Sequence, residues 1–103
     1  MVSLIFATID NEPDARKIAH ILVEEQIVAC VNIISNVDSV YRWKGNIEEE
    51  KEIIILAKTV EENVNKAINR IKEFHNYEIP DIIAIPISAG LEEYLEYVNR
   101  ETE

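Results

Sequence analysis

Val40-Tyr41-Arg42-Trp43-Lys44-Gly45-Asn46-Ile47 joins two long extended runs, Ile27 to Trp43 before it and Ile47 to Lys58 after it. Gly and Asn tolerate positive φ, so Lys44-Gly45-Asn46 reads as the turn of a β-hairpin. Asn36 and Asp38-Ser39 interrupt the incoming run, which predicts a bend or bulge there. The outgoing run begins polar and becomes almost continuously apolar through Ile53-Ile54-Ile55-Leu56-Ala57. That is the pattern of a strand buried inside a sheet.

Outward from this hairpin, helical and extended patterns alternate. Val2 to Ile9 is short, apolar and β-branched, and reads as a buried strand. Asp10-Asn11-Glu12-Pro13-Asp14 offers caps, a first-turn proline and acids suited to a helix N-terminus. Ala15, Ile18, Ala19 and Leu22 then mark one apolar helical face to about Glu25. Beyond the hairpin, Thr59 and Glu62 have the spacing of a capping box. Val64, Ala67, Ile68, Ile71 and Phe74 or His75 continue as a second amphipathic helix. Ile79 to Ile87 reads as a fourth strand, with Pro80 and Pro86 at strand ends or on an edge. Leu91, Tyr94, Leu95 and Val98 place a short helix after Gly90.

The order is βαββαβ with a short C-terminal helix, an α+β, ferredoxin-like arrangement in a single domain over residues 1–103. Right-handed crossovers put the first and third strands side by side, with the second and fourth outside. The second strand is then a long apolar edge, and such edges are covered in native proteins. Self-association through the long hairpin is the expected cover.

Composition narrows the partners. Twenty acids against ten bases give a net charge of −10, which excludes the counterion-releasing contacts of a nucleic-acid binder and disfavours anionic membranes. Hydrophobic residues make up 48%, so the charge does not signal disorder. No apolar run approaches the roughly 18 residues of a membrane helix. Met1-Val2-Ser3-Leu4 lacks the basic region of a signal peptide, and the expected location is cytoplasmic. Cys30 is the only cysteine, so no intramolecular disulfide forms, and its apolar neighbours predict a buried, protonated thiol.

His75-Asn76-Tyr77-Glu78-Ile79-Pro80-Asp81 gathers an imidazole, a phenol and carboxylates where a helix gives way to a strand. Tyr41 and Trp43 share a strand face and, with Tyr77, are candidates to line a groove closed by Lys58, Glu78 and His75. The competing reading packs these rings between subunits. Soft or borderline metal donors are confined to His20, Cys30, His75 and Met1, with no H-x-x-x-H or C-x-x-C pair. Any metal site is therefore assembled in space, and His75 is the candidate ligand. Glu48-Glu49-Glu50 alternate in direction along a strand and do not converge on a cation. Phosphoryl chemistry on this architecture needs cations or an amide cradle, whereas the loop Asp10-Asn11-Glu12 is acidic. Hydrolase patterns are absent as well, and the chain reads as a non-enzyme.

Several ordered motifs carry a resemblance. They are Phe6-Ala7-Thr8, Ile27 to Asn32, Ser39-Val40-Tyr41-Arg42-Trp43-Lys44-Gly45, Glu52 to Thr59, His75 to Asp81, and Tyr94-Leu95. Together they resemble the CutA family of divalent-cation tolerance proteins over nearly the whole chain. The resemblance implies a homotrimer with interlocking hairpins and a non-enzymatic, cytoplasmic role in heavy-metal tolerance. It requires no cofactor and points to copper or another divalent cation as the ligand. The implied trimer is similar to that of PII signalling proteins, which bind small molecules in clefts between subunits. That gives the alternative of a ligand sensor with Tyr41, Trp43, Lys58, His75, Tyr77 and Glu78 in an intersubunit cleft. The chain departs from the family pattern at Asn76, which replaces a proline, and at Tyr97, which replaces a tryptophan. Ala7 and Phe74 stand where copper-binding members carry Cys and a second His. Of that constellation only His75 remains.

Overall fold

The structure, a computed structural model, describes residues 1–102. Strand β1 (Val2–Ile9) leads into helix α1 (Glu12–Glu24), and β2 (Cys30–Trp43) and β3 (Asn46–Val60) form the long hairpin. A 3-10 turn (Glu61–Asn63) precedes α2 (Val64–Glu73), followed by β4 (Ile82–Pro86) and α3 (Glu92–Glu101). The sheet order is β2-β3-β1-β4, with every neighbouring pair antiparallel. The two apolar strands therefore occupy the centre, as the crossover argument requires.

Helix α1 starts where Asn11 accepts the Asp14 backbone N–H through its side-chain oxygen at 2.9 Å. Glu12 and Asp14 sit in its first turn, against the positive end of the helix dipole. Its buried face is Ala15, Ile18, Ala19 and Leu22, as the spacing predicts. With Ala67 and Ile71 of α2 it covers Ile5, Ala7, Ile9, Ile53, Ile55 and Ala57. Each fully buried isoleucine contributes about 1.5–3 kcal/mol over an exposed one. Val2, Ala29 and Val60 form a second, smaller cluster with Val98 of α3. Val2 and Val60 alternate out of phase with Ile5 and Ile55, so α3 covers one end of the other sheet face.

The hairpin turn has two residues, Lys44 (φ 48°) and Gly45 (φ 83°), with Trp43 paired to Asn46. Two successive positive φ values are those of a type I′ turn, whose twist matches the strands. The expected bulge lies between Ile34 and Val37, where Asn36 adopts φ 62°. Ile34 pairs with Ile54, but Val37 pairs with Glu52, so β2 carries one extra residue. That residue shifts the strand's phase. Before the bulge, even-numbered β2 positions face away from α1 and α2; after it, odd-numbered ones do. Tyr41 and Trp43 thereby reach the same sheet face as Glu50, Glu52 and Ile54.

Three local expectations differ from the structure. Thr59 caps no helix; it belongs to β3, and its buried hydroxyl donates to the Ile27 carbonyl at 2.6 Å. The Ile27 carbonyl, which also accepts from the Asn63 side-chain amide at 3.1 Å, holds that hydroxyl within the strand, and a 3-10 turn intervenes before α2. The fourth strand begins at Ile82 rather than Ile79, because pairing with β1 starts at Ala7–Ile82 and Pro80 has no N–H to join a ladder. Cys30 is half-buried rather than buried. It points to the α3 side, where its sulfur lies 3.1 Å from the Tyr94 hydroxyl.

Candidate functional site

The sheet face left open by α1 and α2 holds a groove of about 720 Å³. Its floor comes from the central strands, with Phe6 and Thr8 on β1 and Glu50, Glu52 and Ile54 on β3. Tyr41 and Trp43, brought round by the bulge, form one wall. Tyr77, Glu78, Ile79 and Asp81, in the segment entering β4, form the other, and Asp10 sits at one end.

That second wall is held in place by His75. The ring Nδ1 accepts the Tyr77 N–H at 3.2 Å, so the proton resides on Nε2, which donates to the Thr8 carbonyl at 2.6 Å. The imidazole also meets the Tyr77 ring edge-on, with centroids 4.5 Å apart. Tyr77 in turn donates its hydroxyl to Glu52 at 2.6 Å. Burial first, and then this bond to a carboxylate, push the Tyr77 phenol well above its ordinary pKa. Partial desolvation and the carboxylates of Glu50, Glu48 and Glu52 push Tyr41 in the same direction. The Thr8 hydroxyl reaches Asp81 at 3.4 Å, and the amide side chains of Asn11 and Asn76 donate to Asp10.

Four of the six residues singled out in the sequence, Tyr41, Trp43, Tyr77 and Glu78, line the groove. His75 stands behind it with both ring nitrogens hydrogen-bonded. Lys58 is elsewhere: it donates to Asn32 and lies opposite Cys30. Six residues along β3 separate it from Glu52, about 20 Å at the rise of a strand. His20 lies on the exposed side of α1. Among the described residues no three His, Cys, Asp or Glu side chains are grouped so as to hold a metal ion. Sequence reasoning did not place Asp10, Glu50, Glu52 and Asp81 in the groove. Glu52 had a readable mark, a carboxylate on the same strand face as Ile54 and Leu56. Asp81 was marked only as a carboxylate of the His75–Asp81 segment and Asp10 only as part of the acidic loop Asp10-Asn11-Glu12, because only the β1–β4 pairing brings the two together.

At Glu78 the groove's rim carries an ion pair, with the Lys44 ammonium 4.0 Å from the carboxylate. The same ammonium lies 5.5 Å from the centroid of the Trp43 ring, within cation–π range. Along the same face, Ile34, Ile83 and Ile85 are between 44% and 51% exposed, a hydrophobic band that α3 does not reach. Leu4 and Leu56 continue it, half-buried.

Comparison with known proteins agrees with this architecture. The family model described as CutA1 divalent ion tolerance protein matches residues 3–101. The chain is 40% identical over 102 residues to the divalent-cation tolerance protein CutA of Thermus thermophilus, covering 99% of each chain. It is 39% identical to human protein CutA, where the match takes in 99% of this chain and 57% of the relative's length. The crystal structure of CutA from Xylella fastidiosa superposes with a TM-score of 0.96 at 43% identity, covering 99% of this chain and 98% of the other. Fold, motif order and full-length similarity coincide, and the chain belongs to the CutA1 divalent ion tolerance protein family.

Proposed function

We propose that this protein is a non-enzymatic, cytoplasmic homotrimer acting in divalent-cation tolerance, with the groove as its ligand cleft at a subunit boundary. The carrying observation is the uncovered apolar band that crosses the open sheet face from Ile34 on the β2 edge to Ile83 and Ile85 on the β4 edge. A domain this small has little core to spare, and apolar surface of this kind is stabilised by a second copy. The lone free thiol suits a reducing compartment, and no helix of the described residues is long and apolar enough to cross a membrane. Sedimentation equilibrium at micromolar concentration is expected to give about three times the 11.9 kDa chain mass. A monomer overturns the reading.

Two ligands are compatible with that assembly. A divalent cation follows the family's name, and copper or another such ion at His75 requires one hydrogen bond of the imidazole to break. A small organic ligand in the cleft, in the manner of a PII-like sensor, leaves His75 as it stands. The commitment of both ring nitrogens favours the second. Calorimetric titration with copper and zinc, on the native chain and on His75→Ala, separates them. Affinity that collapses in the variant assigns the metal to His75, and unchanged binding removes His75 from the site.

A further inference from the structure

We propose that the groove binds an extended organic cation with two or more ammonium groups, of the class of aliphatic diamines and polyamines. This assignment rests on the groove being a ligand cleft and names what enters it.

The first argument is charge. Asp10, Glu50, Glu52, Glu78 and Asp81 all line the groove. Of these five carboxylates only Glu78 has an ion-pair partner among the described residues, the Lys44 ammonium. Lys51, the nearest lysine along β3, is engaged 2.7 Å from Asp38. Glu52 is the sharpest case. It is only 6% exposed, one of its oxygens receives the Tyr77 hydroxyl, and its other oxygen receives no hydrogen bond among the described residues. Among the described residues no side-chain polar atom is both sealed from solvent and unpartnered, so that oxygen keeps some contact with solvent, and Glu52 itself lines the groove. A carboxylate so far removed from water, with no cation beside it, gains from a cation entering the groove.

The second argument is shape. The carboxylates are not grouped as a metal site, so one point charge does not satisfy them together. They are distributed between the groove's floor, its end and one wall, while Phe6, Tyr41, Trp43 and Tyr77 offer apolar and aromatic surface between. Aromatic faces hold alkylammonium groups and their methylene stems, and hydrated metal ions gain much less from them. An aliphatic chain with cationic centres at intervals matches both features. Lys44 shows the chemistry within the chain itself: an ammonium on a four-carbon stem rests over Trp43 and against Glu78.

Trp43 is the only tryptophan, so its fluorescence reports on the groove. The full chain in its associated state is titrated with spermidine, 1,4-diaminobutane, n-butylamine, butane-1,4-diol and adipate at constant ionic strength. Calorimetry runs in parallel to detect binding that leaves the indole unchanged. Saturable responses in the order spermidine, diamine, monoamine, with none from the diol or adipate, support the proposal. Glu52→Gln keeps an acceptor for Tyr77 and is expected to weaken spermidine about tenfold, the loss of one charge-assisted contact. Asp81→Asn serves as a second groove variant should the first fold poorly by circular dichroism. Glu62→Gln removes a distant charge on the 3-10 turn and is expected to leave affinity unchanged. A saturable response to adipate or the diol without one to the amines refutes the cation while retaining the cleft. Displacement of spermidine by magnesium at equal charge concentration, or equal weakening by Glu62→Gln, shows diffuse screening and overturns the proposal. Silence in both measurements with every probe removes the cleft reading as well.

Discussion

Replacing Tyr77 by phenylalanine deletes one oxygen, keeps the ring against His75, and isolates the contact that ties the groove's wall to its floor. That oxygen donates to the Glu52 carboxylate at 2.6 Å, and Glu52 is 6% exposed. A hydrogen bond to a charged group contributes about 1.5–3 kcal/mol, and the upper part of that range applies when its loss strands a buried acceptor. Tyr77→Phe is therefore expected to cost ~1.5–3 kcal/mol, equivalent to roughly 6–24 °C in a domain of about 100 residues. The assay is urea denaturation followed by circular dichroism, at one fixed protein concentration because association contributes to apparent stability.

The double-mutant cycle with Glu52→Gln makes the test specific. With a neutral acceptor the same Tyr77→Phe change is expected to cost about 1 kcal/mol less, because no charge is left unpaired. The pH dependence has a definite sign. The folded-state pKa of Tyr77 is raised, so its contribution is fully present below the unfolded phenol value of about 10. It is lost as pH rises from there toward the folded value. The variant lacks this part of the alkaline decline. A loss within ~0.5 kcal/mol of zero, the range of ordinary surface substitutions, or a cycle without coupling, refutes the reasoning.

Two further outcomes follow from local geometry. Gly45→Ala is expected to cost about 1 kcal/mol by urea denaturation; a Cβ there meets nothing within 4 Å, so the positive φ of 83° alone carries the penalty. At the other end of the sheet, the bond to Cys30 and partial burial push Tyr94 up to about 12. Cys30→Ala is expected to return that ionisation toward the ordinary phenol range in an ultraviolet titration, and to cost ~1 kcal/mol in stability. The raised Tyr94 value contributes stability below the unfolded pKa, lost as pH climbs toward 12. An unmoved Tyr94 titration in the variant refutes the coupling.

The βαββαβ order was legible because each element announced itself locally. Asn11 caps α1, Ile18 and Leu22 keep its helical period, and Gly45 marks the hairpin turn. Central burial of β1 and β3 followed from apolar runs and the handedness of crossovers. What was not legible is what depends on partners far apart in sequence. Thr59 looked like a cap until the Ile27 carbonyl claimed its hydroxyl across 32 positions. Cys30 looked like core because its neighbours are apolar, but strand alternation turns it to the opposite face from Val31, toward Tyr94. In the groove, Tyr41, Trp43, Tyr77 and Glu78 were readable from composition and spacing. Within one chain Lys58 lies six positions along β3 from Glu52, because even-numbered positions share a face without sharing a site. The acidic lining depends on β1–β4 pairing and on the phase shift of the bulge, neither of which is written in any one segment.

The position of His75 links the metal reading to the groove. Its two nitrogens brace Thr8, at the end of β1, and the backbone of Tyr77, whose hydroxyl reaches Glu52. The imidazole thus sets the distance between the groove's wall and its floor. A metal ion needs a nitrogen lone pair, and in this tautomer the only one belongs to Nδ1, where the Tyr77 N–H now sits. Metal capture there displaces that N–H, releases the Tyr77 segment and loosens its hydroxyl from Glu52. Capture at Nε2 instead requires the other tautomer, which removes the donor to the Thr8 carbonyl and sets an N–H against Tyr77's own. By either route a metal at His75 is held at the expense of the groove's geometry. Were a metal to bind at His75, it would therefore oppose ligand binding in the groove, and each would lower the affinity for the other by the same factor.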